Sequence, residues 1–71
     1  MSSFAREVIR KINEVCGSYR EDCVKGVASY EVERMIIRTT IEIIEYWNPR
    51  LSYKERVEVL EYMENEYKLY I

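Results

Sequence analysis

Apolar and polar positions along this chain sort into helical repeats almost from the first residue. Phe4, Val8, Ile12 and Val15 recur at spacings of four, four and three, joined by Ala5, Ile9 and Cys16. Arg6, Glu7, Arg10, Lys11, Asn13 and Glu14 take the opposite side. This is the period of an amphipathic helix and predicts one over about 3–16, with Ser2 or Ser3 as N-cap and Gly17 as its C-terminal stop. Ser18 and Glu21 stand at capping-box spacing, so a short helix over 19–25 is expected next, ended by Gly26. The rival is a first helix that runs on through Gly17, since one glycine costs a helix only about 1 kcal/mol.

The central segment, 29–47, carries the most informative pattern. Glu31, Arg34, Arg38, Glu42 and Glu45 are spaced three, four, four and three, which puts all five on one narrow helical face. Between them lie Val32, Met35, Ile36, Ile37, Ile41, Ile43, Ile44, Tyr46 and Trp47. The β-branched run Ile36–Ile44 raises a strand as the alternative. A strand would send Arg38 and Glu42 to the same face as Ile36 and Thr40, whereas the helical register separates charge from grease. A helix wet along one strip and apolar over well more than half its circumference is the reverse of the usual balance on a monomer.

Asn48-Pro49 ends that helix, because the residue before a proline is pushed out of the α region. Ser52 and Glu55 form a second capping-box signature, opening a last helix over 53–70. Its predicted apolar face is Tyr53, Val57, Leu60, Met63, Tyr67 and Tyr70, flanked by Val59 and Ile71; its polar face is Lys54, Glu55, Glu58, Glu61, Asn65 and Lys68. The short connection between the last two helices predicts an antiparallel αα-hairpin with the first helix packed across it. The expected fold is an all-α, three-helix single domain spanning 1–71.

Length turns the central pattern into an argument about partners. A chain of 71 residues buries only about 60% of its unfolded surface, and small domains commonly gain stability from a disulfide, a metal or oligomerisation. With two cysteines and no histidine, one chain cannot supply the about four Cys or His ligands of a structural zinc site, and no cofactor is expected. A homodimeric helical bundle follows as the expectation, with Tyr30, Ile37, Ile41 and Ile44 as the dimer interface. The second apolar arc, Ala28, Val32, Met35, Ile36, Ile43 and Tyr46, is expected to meet the other helices. Cys16 and Cys23 lie about 10.5 Å apart if one helix spans both, beyond disulfide reach. A turn at Gly17 would make a bridge feasible. Two buried thiols are the favoured reading, since free cysteine is among the most buried residue types.

The composition argues against chemistry. No phosphate loop, serine elbow or Cys–His pair is present, and without histidine the commonest general base is missing. The carboxylates Glu55, Glu58, Glu61, Glu64 and Glu66 read as a solvated helix face. The chain is therefore expected not to be an enzyme but a protein–protein interaction module: an adaptor, regulator or inhibitor that pairs with itself and with a further protein. Tyr62 and Leu69, lying off the predicted core stripe of the last helix, are its partner-binding candidates, since exposed aromatics favour binding hot spots.

The alternative is a small dimeric DNA-binding regulator that tracks phosphates with Arg6, Arg10 and Lys11. The net charge of −2, from 11 basic and 13 acidic residues, weighs against it, because nucleic-acid binding relies on basic excess. The chain opens without a charged leader and apolar core and has no run of membrane-spanning length, so a cytoplasmic location is expected. Glutamine and histidine are absent while Ile, Glu, Arg and Tyr abound. Thermophile proteins lean this way, those of thermophilic archaea and their viruses included, and such a host is expected here.

Overall fold

The computed structural model describes residues 3–71, and every regular element among them is helical. Helix α1 spans Ser3–Cys16, α2 Arg20–Lys25, α3 Tyr30–Tyr46 and α4 Tyr53–Glu66, with 3₁₀ turns at Gly17–Tyr19 and Asn48–Arg50. The N-cap expected at Ser2 lies outside the described residues. No helix among those described is long and apolar enough to cross a membrane.

The helix boundaries follow from local chemistry. Helix α1 stops at Cys16 and the chain tightens into the 3₁₀ turn at Gly17. Tyr19 caps α2 without a side-chain bond, so Ser18 does not close the expected capping box; the preceding turn already occupies those positions. Gly26 ends α2 in the left-handed region at φ 73°, a conformation that costs a residue with Cβ about 1 kcal/mol or more. The Ser29 hydroxyl accepts from the Val32 N–H at 3.2 Å and opens α3. The β-branched run is helical throughout, and the buried Thr40 hydroxyl donates to the Ile36 carbonyl at 2.8 Å, so it brings no unmet polar group inside. At α4 the capping box forms as predicted: Ser52 Oγ accepts from the Glu55 N–H at 3.1 Å and Glu55 Oε1 from the Ser52 N–H at 2.9 Å.

The packing centres on α1. Its stripe Ala5, Val8, Ile9, Ile12 and Cys16 is buried, and α1 approaches both α3 and α4 closely. Helices α3 and α4 are not a close pair. The last two helices meet chiefly through α1, which contacts each of them more closely than they contact one another. Phe4 and Val15, expected within the α1 stripe, sit exposed at its edges; Phe4 instead stacks on Trp47 at 6.0 Å between ring centres.

Helix α4 departs furthest from expectation. It ends at Glu66 rather than near residue 70, and its buried positions are Val59 and Met63. The buried face is turned by most of one residue's rotation from the predicted stripe, toward Tyr62. The cause lies past the helix end. Lys68 adopts a left-handed conformation at φ 57°, and the Leu69 N–H reaches back to the Met63 carbonyl at 3.4 Å. This reversal drives Tyr67 and Leu69 into the core and throws Tyr70 out. Leu69, read from the sequence as an exposed partner contact, is only 5% exposed, while Tyr53 and Tyr70, assigned to the core, are 77% and 75% exposed. A helical wheel extended to residue 70 misplaces Leu69 and Tyr70 because the helix stops at residue 66, whereas Tyr53 is exposed at the first position of α4.

Leu69→Ala should therefore lower stability by about 2–4 kcal/mol, the scale for emptying a buried leucine site. Tyr70→Ala should stay within about 0.5 kcal/mol of the parent, as exposed substitutions usually do. Chemical denaturation followed by circular dichroism separates the two, and equal losses would show that Leu69 does not pack inside.

Candidate interaction surface

Seen from the residues upward, α3 is a long helix that is barely used. Of its 17 residues only Ile36 and Thr40 are fully buried. At 100° per residue these two define the inward direction, with Val32, Ile43, Ile44 and Trp47 half-buried beside them. The charged strip from Glu31 to Glu45 points the opposite way and is exposed along its whole length. Apolar side chains border the strip on both sides. Tyr30, 71% exposed, and Ile41, 40% exposed, lie on one flank; Met35 and Tyr46 lie on the other. Of the four residues expected at a dimer interface, Tyr30 and Ile41 are thus open, whereas Ile37 and Ile44 are half-buried against the chain's own core.

Among the described residues, the charges on this strip form no ion pair within their own chain. Among the described residues, ion pairs form on α1 and α2: Arg10 with Glu7 and Glu14, Lys11 with Glu14, and Lys25 with Glu21. Helix α3 offers the same spacings, Glu31 to Arg34 and Arg38 to Glu42, yet carries none. Arg34 turns instead over the Tyr30 ring at 5.8 Å. Between Ile37 and Ile41 the surface dips into a shallow depression of about 400 Å³, bounded by Arg34, Arg38 and Glu42. A second, more apolar groove of about 470 Å³ runs between α1 and α3, lined by Val15, Ile43, Tyr46 and Trp47.

The remaining sequence candidates fall elsewhere. Tyr62 is no free handle. It packs half-buried against the core, and its hydroxyl accepts from the Asn13 amide nitrogen at 2.8 Å. The Tyr67 hydroxyl donates to the oxygen of the same amide at 2.6 Å. One asparagine of α1 thereby holds two tyrosines from the other end of the chain. Sequence periodicity left Asn13 on the polar face of α1; its spacing of four from Ile9 and three to Cys16 was the signal that it lies on the buried edge. Arg6 is exposed, but Arg10 is clamped by Glu7 and Glu14 and Lys11 is drawn to Glu14. The Arg10 contact holds the Glu7 carboxyl below its ordinary range. The basic side of α1 is therefore largely neutralised by its own carboxylates.

Glu58, Glu61 and Glu66 border a depression with Tyr62 and Asn65. Among the described residues no group of three or more acidic, cysteine or histidine side chains could hold a metal ion. Cys16 and Cys23 are free and buried, with no bridge between them. Burial raises both thiols above their ordinary value, with the nearby Glu33 and Asp22 adding to the effect at Cys23.

No family model matches the chain, and neither curated proteins nor solved structures yield a match. What the surface can do must be argued from its own chemistry. That chemistry is a charged strip with apolar borders on a helix anchored by Ile36 and Thr40, which suits a flat macromolecular contact better than a small-molecule pocket.

Tyr67 supplies a pH test of the packing beneath this surface. Burial, with the Cys16 thiol and the Tyr62 phenol nearby, pushes its hydroxyl up to about 12 from 10. The folded state holds this proton more tightly than the unfolded chain, so the stabilisation is complete below pH 10 and is lost as pH rises toward 12. The loss attributable to this group should reach about 2–3 kcal/mol, since each factor of ten in proton affinity is worth about 1.4 kcal/mol. In Tyr67→Phe, which starts lower for want of the bond to Asn13, the decline across that window should be shallower. Denaturation at a series of alkaline pH values checks this, and identical slopes would show that the Tyr67 phenol is not held in the core.

Proposed function

We propose that this protein is a non-catalytic interaction module that pairs with a second copy of itself through the outer flank of α3. The observation that carries the reading is the mismatch within that helix: two of 17 residues fully buried, with Tyr30 and Ile41 exposed beside charges that form no ion pair among the described residues. The apolar flank carrying Tyr30 and Ile41, edged on one side by the charged strip, has the composition of an interface, a hydrophobic patch with a polar rim. A small domain also gains directly from association, since a partner that binds only the folded state stabilises it by mass action. In this role the chain acts as an adaptor, regulator or inhibitor, and the surface left free by self-pairing, including the groove lined by Val15, Ile43, Tyr46 and Trp47, is available to a further protein.

The DNA-binding alternative draws less support. Phosphate tracking needs free cations, and Arg10 and Lys11 are engaged by Glu7 and Glu14.

Ile41→Asp tests the proposal cleanly, because Ile41 is accessible in the folded chain and its replacement leaves the core intact. Wild type should sediment as a dimer at tens to hundreds of micromolar. The variant should shift to monomer with a dissociation constant raised at least about tenfold, for loss of an anchoring apolar contact. It should keep its helical circular dichroism. A wild type that stays monomeric across that range would overturn the proposal.

A further inference from the structure

The spacing on α3 and the contacts on its two sides also fix how two copies would meet. This inference rests on the self-pairing proposed above and deepens it. Tyr30, Arg34, Ile37, Ile41 and Ile44 recur at four, three, four and three, the seam spacing of a coiled coil. Two rows of rim positions flank such a seam. One row is Glu31, Arg38 and Glu45, all exposed; the other is Glu33, Thr40 and Trp47, all buried or half-buried within the chain. Glu33 lies close enough to Cys23 to push its thiol up, which places the second row toward α2.

In a parallel helix pair each rim position faces the opposite row of the partner. Here that would demand Glu33, Thr40 and Trp47, which the chain's own packing already engages. In an antiparallel pair like rows face each other, so the two exposed rows meet on one side without setting the engaged row of either copy against the exposed row of the other.

Of the antiparallel registers that bring that row against itself, three engage Arg38. One sets Glu31 against Glu45 and Arg38 against its own copy, like charge on like. A second sets Arg38 against Glu45, centres the seam on Ile41 and Ile44, and leaves Tyr30, the most exposed apolar residue of the seam, outside the contact. The third sets Glu31 of each copy against Arg38 of the other. It lays Tyr30 against Ile41 of the other copy, the two most open apolar residues of the seam, and aims each Tyr30 at the depression between Ile37 and Ile41. We infer that two copies associate as an antiparallel α3 pair about a twofold axis near Met35, with reciprocal Glu31–Arg38 ion pairs and Tyr30 seated beside Ile41 of the opposite copy. Charge complementarity thereby selects a second copy of this chain as the occupant of the face.

A charge-swap series tests this. Residues 31 and 38 lie about 10.5 Å apart along one helix, too far to pair within a chain, so any rescue between them must pass between chains. Glu31→Arg and Arg38→Glu should each raise the dimer dissociation constant about tenfold, because two symmetry-related pairs turn repulsive at once. The double variant should return to within about threefold of wild type. Raising salt should weaken the wild-type dimer and affect Glu31→Gln/Arg38→Gln less, a readout that needs no charge reversal. Circular dichroism confirms that each variant is folded. If wild type is monomeric throughout, self-pairing itself fails. If wild type is a dimer but the double variant is no tighter than the singles, the register is wrong and the self-pairing stands. Rescue of Arg38→Glu by Glu45→Arg, with Glu31→Arg silent, would replace it with the second register.

Discussion

The stripe Ala5, Val8, Ile9, Ile12 and Cys16 on α1 is shared by two helices that do not closely approach each other, and that sharing decides what every other element can do. A helix clamped between two neighbours buries a broad arc. Its neighbours, each served from one side, bury narrow ones. Helix α4 widens its contact by adding Tyr67 and Leu69 from the reversed segment beyond its end. Beyond α3, Leu51 also turns into the core, but within the helix the fully buried set stops at Ile36 and Thr40. The exposed apolar flank of α3 thus follows from the way three long helices are stacked, as well as from an apolar sequence.

Polar contacts give this small core its register. A purely apolar stripe tolerates sliding, because one aliphatic side chain replaces another with little loss. The Asn13 amide does not. It receives a hydrogen bond from Tyr67 and gives one to Tyr62, and leaving either group unpaired inside costs about 1–3 kcal/mol. Displacing α4 along α1 by one turn would strand all three side chains at once. The reversal at Lys68 serves the same end, since an unfavourable left-handed residue is held in place by the Tyr67 and Leu69 side chains it delivers to the core.

The surface shows a division of labour in charge. On α1 and α2 the carboxylates and cations satisfy each other at helical spacing; each exposed pair contributes little to stability but leaves those faces nearly neutral. On α3 the charges form no ion pair among the described residues, beside accessible Tyr30 and Ile41. Pairing with a second copy, as proposed, would give the unmatched charges partners and cover the apolar flank in one contact. The buried thiols Cys16 and Cys23 play no part in that surface: they fill space beneath it.

By itself the sequence determined the helices and their punctuation. The period of apolar residues set α1 and α3 almost to the residue, and the Ser52–Glu55 box and Asn48-Pro49 marked ends, because caps and prolines act through bonds a few residues long. It also marked α3 as a helix with more apolar surface than its charged strip could balance. The tertiary structure alone decided which of those apolar residues are used. Tyr62 and Leu69 read as free because their places were judged on an ideal wheel; Asn13 binds Tyr62 from 49 residues away, and Leu69 is placed by a left-handed turn at Lys68 that no periodicity encodes. Ile37 and Ile44 read as interface alongside Tyr30 and Ile41, yet lean on the core because α1 and its neighbours reach around that side of α3. Local spacing fixes which face a residue shares; only the packing of distant segments fixes which faces remain open.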